Sequence, residues 1–73
     1  MDAHIAKATI KAHLAQLRAE LEKGVRIAKA AEICAGSGRT RKGIELALGL
    51  EKIVYDVNTL VNATSMINQI DKT

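Results

Sequence analysis

The segment from Cys34 to Gly43, CAGSGRTRKG, holds the densest group of chemically capable residues in this chain. Three of the five glycines and three of the 11 lysines and arginines fall within it. Backbone N–H groups at the start of a helix, with cations beside them, form a binding site for anions. Arg39, Arg41 and Lys42 are therefore a candidate anion-binding set. The alternative is structural, because a bend between helices needs glycine and a solvated tip tolerates charge.

The same segment differs from a nucleotide-binding P-loop. That motif has the order G-x-x-x-x-G-K-[ST] and follows a buried strand. Here Lys42 precedes Gly43 and Ile44 follows it, so no hydroxyl group is placed to bind magnesium. The residues before the loop have a helical spacing of apolar side chains rather than that of a strand. We expect no NTPase activity from this segment.

The other reactive side chains are few and widely spaced. His4 and His13 are nine residues apart, which places them on opposite sides of a helix. Cys34 is the single cysteine, so the chain cannot form an internal disulfide, and with two histidines it makes a poor metal site. The sequence shows no Ser/His/Asp set. We expect no enzymatic activity, no metal or other cofactor and no small-molecule substrate.

Two long helices are the elements that must position these residues. Apolar residues recur at steps of three and four through both halves of the chain, without the period-two alternation of strands. The 73 residues include no proline, which favours long uninterrupted helices. The sequence predicts one all-α domain over residues 1–73, an antiparallel two-helix hairpin. The helices are expected at about 3–35 and 41–70, with a turn at about 36–40.

An apolar stripe on each helix predicts how the two helices meet. On the first helix the stripe contains Ala3, Ala6, Ile10, Leu14, Leu17, Leu21, Gly24, Ala28, Ala31 and Ala35. On the second it contains Leu46, Leu50, Ile53, Val57, Leu60, Thr64 and Ile67, at the alternating steps of a heptad repeat. Val54 and Val61 widen the second stripe on one flank. Near the turn, the alanines of the first helix are expected to allow close approach to Leu46 and Leu50.

The turn is predicted from its glycines and hydroxyl residues. Gly36 is expected to follow the C-cap of the first helix. Ser37 or Thr40 is expected to cap the second helix.

A hairpin of two helices encloses no interior, because each seam residue is covered by one helix. The apolar face of the second helix spans about 160°, wider than the stripe of about 100° expected of a surface helix. This width predicts association, with a second hairpin in a four-helix bundle or with a groove on a helical partner protein. A homodimer is the favoured form. The predicted self-association seam consists of Leu14, Leu17, Leu21, Leu46, Leu50, Ile53, Val57 and Leu60.

A second apolar strip lies on the second helix, away from the seam. Its members are Ile44, Leu48, Tyr55 and Met66, and we call them the outer strip. They are a candidate partner-binding row, with Tyr55, the single aromatic residue, as its anchor. Scattered apolar residues on a surface are also common, so ordinary surface is the alternative.

Charge and composition limit the classes of partner. The net charge of +3 resides in residues 36–43, since the segments on either side contribute +2 and −2. Lys7, Lys11, Arg18 and Lys29 form a stripe that suits either solubility or phosphate contacts. One aromatic residue makes no base-stacking platform, so nucleic acid is a less favoured partner. No apolar run approaches the roughly 20 residues of a membrane span. We expect a cytoplasmic protein without a membrane partner.

The favoured function is that of a non-enzymatic protein–protein interaction module, a hairpin that self-associates or acts as an adaptor or co-chaperone. One alternative is a dimeric nucleic-acid-binding regulator that uses the basic loop and the stripe on the first helix. Another is a subunit of a larger helical assembly such as a secretion apparatus. In architecture the predicted hairpin is similar to two-helix subunits and co-chaperones of bacterial secretion systems and to the dimeric hairpins that regulate plasmid copy number. No motif assigns the chain to one of them.

Overall fold

The computed structural model describes residues 2–72, which form three helices in two antiparallel arms. Helix α1 spans Ala3–Gly36, α2 spans Thr40–Leu48 and α3 spans Leu50–Lys72. No strand occurs among the described residues. The predicted all-α helical hairpin is therefore confirmed. Met1 and Thr73, the two ends of the predicted domain, lie outside the described residues.

The first arm is one continuous helix, and the second is bent once. Asp2 caps α1, since its carboxylate accepts hydrogen bonds from the N–H groups of His4 and Ile5 at 2.8 and 3.4 Å. In the second arm the N–H of Gly49 donates to the carbonyl of Leu46, three residues back, at 3.0 Å. This local tightening of the helix ends α2 and places the bend between α2 and α3.

The hairpin has the shape of a rod. Its Cα atoms extend over 54 × 14 × 11 Å, with a radius of gyration of 16.7 Å. A compact domain of this length would have a radius of gyration of about 11 Å. Ala6, at 0% exposure, and Ile53, at 5%, are the buried hydrophobic residues of the described chain. A rod two helices thick thus leaves most of its apolar side chains partly in water.

A Schellman motif ends α1. The N–H of Arg39 donates to the carbonyl of Cys34 at 2.8 Å, and the N–H of Gly38 donates to the carbonyl of Ala35 at 3.2 Å. Gly38 has a φ of 83°, in the left-handed region that favours glycine. The sequence pattern had assigned this role to Gly36, which is instead the last residue of α1.

The predicted caps of the second arm were wrong. The hydroxyl of Ser37 donates to the carbonyl of Ile33 at 2.9 Å, so it serves the end of α1. Thr40 is the first residue of α2, and the N-cap position before it is Arg39, which makes no side-chain capping hydrogen bond. The helix therefore begins with backbone N–H groups that no side chain caps.

Close approach of the arms near the turn depends on Gly43. A Cβ atom there would lie 2.8 Å from the carbonyl oxygen of Ala31 and 3.5 Å from the Cβ of Ala35. Small residues of α1 near the turn do allow close approach, as predicted, but their partner is a glycine rather than a leucine. Leu50 lies further along, where its Cδ2 would be 3.6 Å from a Cβ at Gly24.

The seam between the arms follows a heptad repeat. On the second arm its buried and half-buried residues include the predicted Leu46, Leu50, Ile53, Val57, Leu60, Thr64 and Ile67, with Gly43 in addition. On α1 they include Ala6, Ile10, His13, Leu17, Glu20, Gly24, Ile27, Ala31 and Cys34. The stripe predicted on the second arm is therefore confirmed, and that on α1 needs correction.

Half of the predicted stripe on α1 lies outside this seam. Leu14 and Leu21 are 51% and 48% exposed. Ala3, Ala28 and Ala35 are exposed as well. His13, Glu20, Ile27 and Cys34 take the seam positions instead. The close contact between Gly43 and Ala31, together with the short turn, sets the rotation of α1 about its own axis. Hydrophobicity alone favoured the two leucines over a histidine and a glutamate.

Candidate protein-interaction surface

The two sides of the hairpin, to the left and right of the seam, differ in polarity. On one side a shallow groove runs between the arms, and its lining residues are Ile10, Leu14, Leu17, Val61, Thr64, Ser65 and Asn68. Among the described residues, no charged one lines this groove. Leu14 on α1 and Val61 on α3 therefore lie on the same side of the molecule.

The heptad repeat extends this arrangement along the rod. Leu21 is seven residues after Leu14, and Val54 is seven residues before Val61, so in antiparallel arms the same pairing recurs one level nearer the turn. Val25, four residues beyond Leu21, lies on the same face of α1.

These residues are large, aliphatic and between 47% and 64% exposed. We call this surface the apolar side and define it by Leu14, Leu21, Val25, Val54 and Val61.

The opposite side is polar. Its groove is lined by Gln16, Glu20, Tyr55, Asp56, Thr59 and Leu60. One carboxylate oxygen of Glu20 is buried without a hydrogen-bond partner in the described chain. Asp56 pairs with Lys52 at 3.3 Å. Two carboxylates in one narrow groove make this side a poor site for an apolar partner.

The seam contains one further polar contact. Oγ1 of Thr64 lies 3.5 Å from Nδ1 of His13 across the two arms, in a part-buried position. His13 is thus engaged inside the hairpin, whereas His4 is exposed near the start of α1. Cys34 is half-buried beside the turn. Among residues 2–72, no cluster of three or more His, Cys, Asp and Glu side chains is placed to hold a metal ion.

The outer strip is exposed along its whole length. Ile44, Leu48, Tyr55 and Met66 are 56%, 57%, 71% and 61% exposed. Tyr55 also lines the rim of the polar groove. These positions make the strip accessible to a partner, and its role in binding stays a prediction.

The three cations of the loop form an exposed basic tip, Arg39, Arg41 and Lys42, at one end of the rod. Lys42 pairs with Glu45 at 3.9 Å, and both side chains are more than half exposed. Arg39 and Arg41 form no ion pair within the described chain. The tip can attract an anion, and its weak surface ion pair does little to order it.

Sequence reasoning assigned Leu14 and Leu21 to the inside of the hairpin and took no account of Val25. Spacing along α1 could not have placed them, because apolar residues occupy both faces of this helix; their position follows once the seam is known. Leu14 and Leu21, like Val54 and Val61, each occupy the heptad position beside the seam. In antiparallel helices those positions face the same side.

None of the helices in the described part of the chain is both long enough and apolar enough to cross a membrane. Comparison with protein-family models, with curated proteins and with solved structures found no match to this chain.

Proposed function

We propose that this chain is a non-enzymatic protein–protein interaction module and that the apolar side is its binding surface. The observation that carries the proposal is the position of Leu14, Leu21, Val54 and Val61. Four exposed aliphatic side chains, two on each arm, lie on the side of the hairpin whose groove has no charged lining residue. Association through such a surface removes them from water, at about 25 cal/mol for each Å² of apolar area covered.

Site-specific photo-cross-linking tests this proposal with a matched pair of positions. Ser65 lines the apolar groove and Thr59 lines the polar groove, and both are exposed hydroxyl residues on α3. A photoreactive amino acid at position 65 should give a discrete cross-linked product in cells that make the protein. The same group at position 59 should give none. The mass of the product identifies a self-complex, a different partner or a larger assembly.

The companion variant is Leu21→Glu, which places a carboxylate on the apolar side. It should abolish the product formed from position 65, because burial of an unpaired charge is strongly unfavourable. A product formed from position 59 and not from 65 would contradict the choice of surface. The outer strip is tested in the same assay by Leu48→Asp and Tyr55→Ala. Loss of the product in these two variants, with helicity unchanged, would move the binding surface to that strip.

The exposed basic tip supports one alternative, a nucleic-acid-binding regulator. Under this alternative the affinity for a short DNA duplex falls steeply with salt, because phosphate binding releases counterions. The double variant Arg39→Ala, Arg41→Ala should then abolish binding. A double variant Lys23→Ala, Arg26→Ala removes the same charge from exposed positions elsewhere and should leave most of the affinity. Equal loss in both double variants would indicate attraction to net charge rather than a site.

A further inference from the structure

We infer that the occupant of the apolar side is a second copy of this chain, so that two hairpins pack side against side. The inference rests on the proposed function, since it names the partner of the same surface. Three observations support a copy: the amount of exposed surface, the position of the apolar side on the rod, and its chemistry.

The accessible surface of the chain indicates how large the missing interface is. The surface measures 5579 Å². A compact monomer with the chain's mass of 7.8 kDa exposes about 4400 Å², since area scales roughly as 6.3 times mass to the power 0.73. The chain therefore exposes about 1200 Å² more than a self-sufficient monomer. A specific interface takes about 800 Å² from each partner, so contact with one copy has the required size.

The apolar side is centred on the rod. Leu14 and Leu21 lie either side of residue 18, close to the midpoint of α1, and Val61 and Val54 face them on the second arm. A two-fold axis through this centre lets two copies overlap over the full 54 Å. A surface near one end would leave half of each rod uncovered. The central position suits a partner of equal length.

The chemistry of the side is that of the inside of a four-helix bundle. Leucine and valine recur at seven-residue spacing beside the seam on both arms, which is the pattern of a helix covered by two neighbours. Charged residues border this side without lining its groove: Lys11 and Arg18 precede Leu14 and Leu21 by three residues, and Glu51 precedes Val54 by three. A second copy presents the same apolar row, so each hairpin can bury its own leucines and valines against those of the other.

The test is the mass in solution across a dilution series, measured by light scattering with circular dichroism alongside. The wild-type chain should have a mass of about 16 kDa, twice its 7.8 kDa, and should dissociate on dilution. Its thermal midpoint should rise with concentration, because dimerisation stabilises the folded state by mass action.

Two variants, each of which introduces one carboxylate, test whether the dimer forms through the apolar side. Leu21→Glu should raise the dissociation constant at least about 100-fold, since each dimer would bury two unpaired carboxylates. Ala19→Glu, at an exposed residue of α1 that lines neither groove, should change it by no more than about twofold. A dimer that survives Leu21→Glu and is lost in Ala19→Glu would overturn the inference.

A monomeric, fully helical wild-type chain at every concentration would also overturn it. In that case the apolar dye anilinonaphthalene sulfonate, which fluoresces on exposed apolar surface, tests whether the proposed function still holds. Dye fluorescence that is lost in Leu21→Glu leaves the proposed function intact with a different partner, and absence of dye binding removes both. If Leu21→Glu unfolds the chain, the thermal midpoint of the wild type is the test. A midpoint that rises with protein concentration supports the dimer, and a constant midpoint refutes it.

Discussion

Two glycines in the seam differ in the space that surrounds them. A Cβ at Gly43 would lie 2.8 Å from the carbonyl oxygen of Ala31, a distance at which the arms must separate. A Cβ at Gly24 would lie 3.5 Å from Cγ2 of Ile53, which is ordinary contact. Both glycines are inside helices, where alanine is favoured by about 1 kcal/mol. The difference between them is therefore one of space and not of backbone propensity.

We predict that Gly43→Ala lowers the free energy of unfolding by about 1–2 kcal/mol, because overpacking outweighs the gain in helix propensity. Gly24→Ala should raise it by about 1 kcal/mol. Urea unfolding followed by circular dichroism at one protein concentration measures both. A Gly43→Ala chain as stable as Gly24→Ala would show that the arms lie further apart near the turn than described.

Glu20 is the least favourable seam residue, since one of its carboxylate oxygens is buried without a hydrogen-bond partner in the described chain. We predict that Glu20→Leu raises the free energy of unfolding by about 1–2 kcal/mol, because an unsatisfied polar group is replaced by an apolar one. The control is Glu22→Leu. The carboxylate of Glu22 pairs with Arg18 at 3.6 Å, and its side chain is 58% exposed. This change should alter stability by less than about 0.5 kcal/mol. Destabilisation by Glu20→Leu would mean that the carboxylate is satisfied by solvent.

At the scale of the elements, the end of α1 sets the direction of the chain into the second arm. The Schellman hydrogen bonds of Gly38 and Arg39 require a left-handed residue, and Gly38 supplies it with a φ of 83°. Gly36, two residues earlier, is helical and has nothing within 4 Å of where a Cβ would lie. Two glycines of one loop thus have different structural roles.

Gly38→Ala should lower the free energy of unfolding by about 1–2 kcal/mol, the cost of a left-handed conformation for a residue with a Cβ. Gly36→Ala should raise it by about 0.5–1 kcal/mol, because alanine restricts the unfolded chain and fits the helix. Thermal unfolding of the two variants beside the wild type is the measurement. Similar midpoints for both would be inconsistent with the described end of α1.

At the scale of the whole molecule, the proposed dimer predicts a particular shape. Two rods side by side, about 10 Å apart as packed helices are, have a radius of gyration of about 17–18 Å. That is close to the 16.7 Å of one chain. An end-to-end dimer of the same mass would have a value of about 30 Å. Small-angle X-ray scattering on the dimeric fraction separates the two, and the larger value would contradict packing through the apolar side.

Much of this architecture could be predicted because it depends on local spacing. The proline-free heptad pattern predicted two long helices. The glycines between them predicted a short turn, which makes the helices antiparallel. The stripe from Leu46 to Ile67 was also predictable, since its residues keep the alternating steps of four and three along the whole second arm. The same reasoning leads us to expect a partner for a 73-residue hairpin without an enclosed core, and this stays a prediction.

The tertiary structure alone decided the rotation of α1, and with it the candidate surface. Hydrophobicity placed Leu14 and Leu21 inside, but the fold turns them outward and puts His13 and Glu20 in the seam. The rotation depends on the distance between Gly43 and Ala31 and on the left-handed backbone of Gly38. Both features depend on how the helices are joined and packed. Because both faces of α1 carry apolar residues, the spacing of residues along α1 fits either rotation of the helix about its axis.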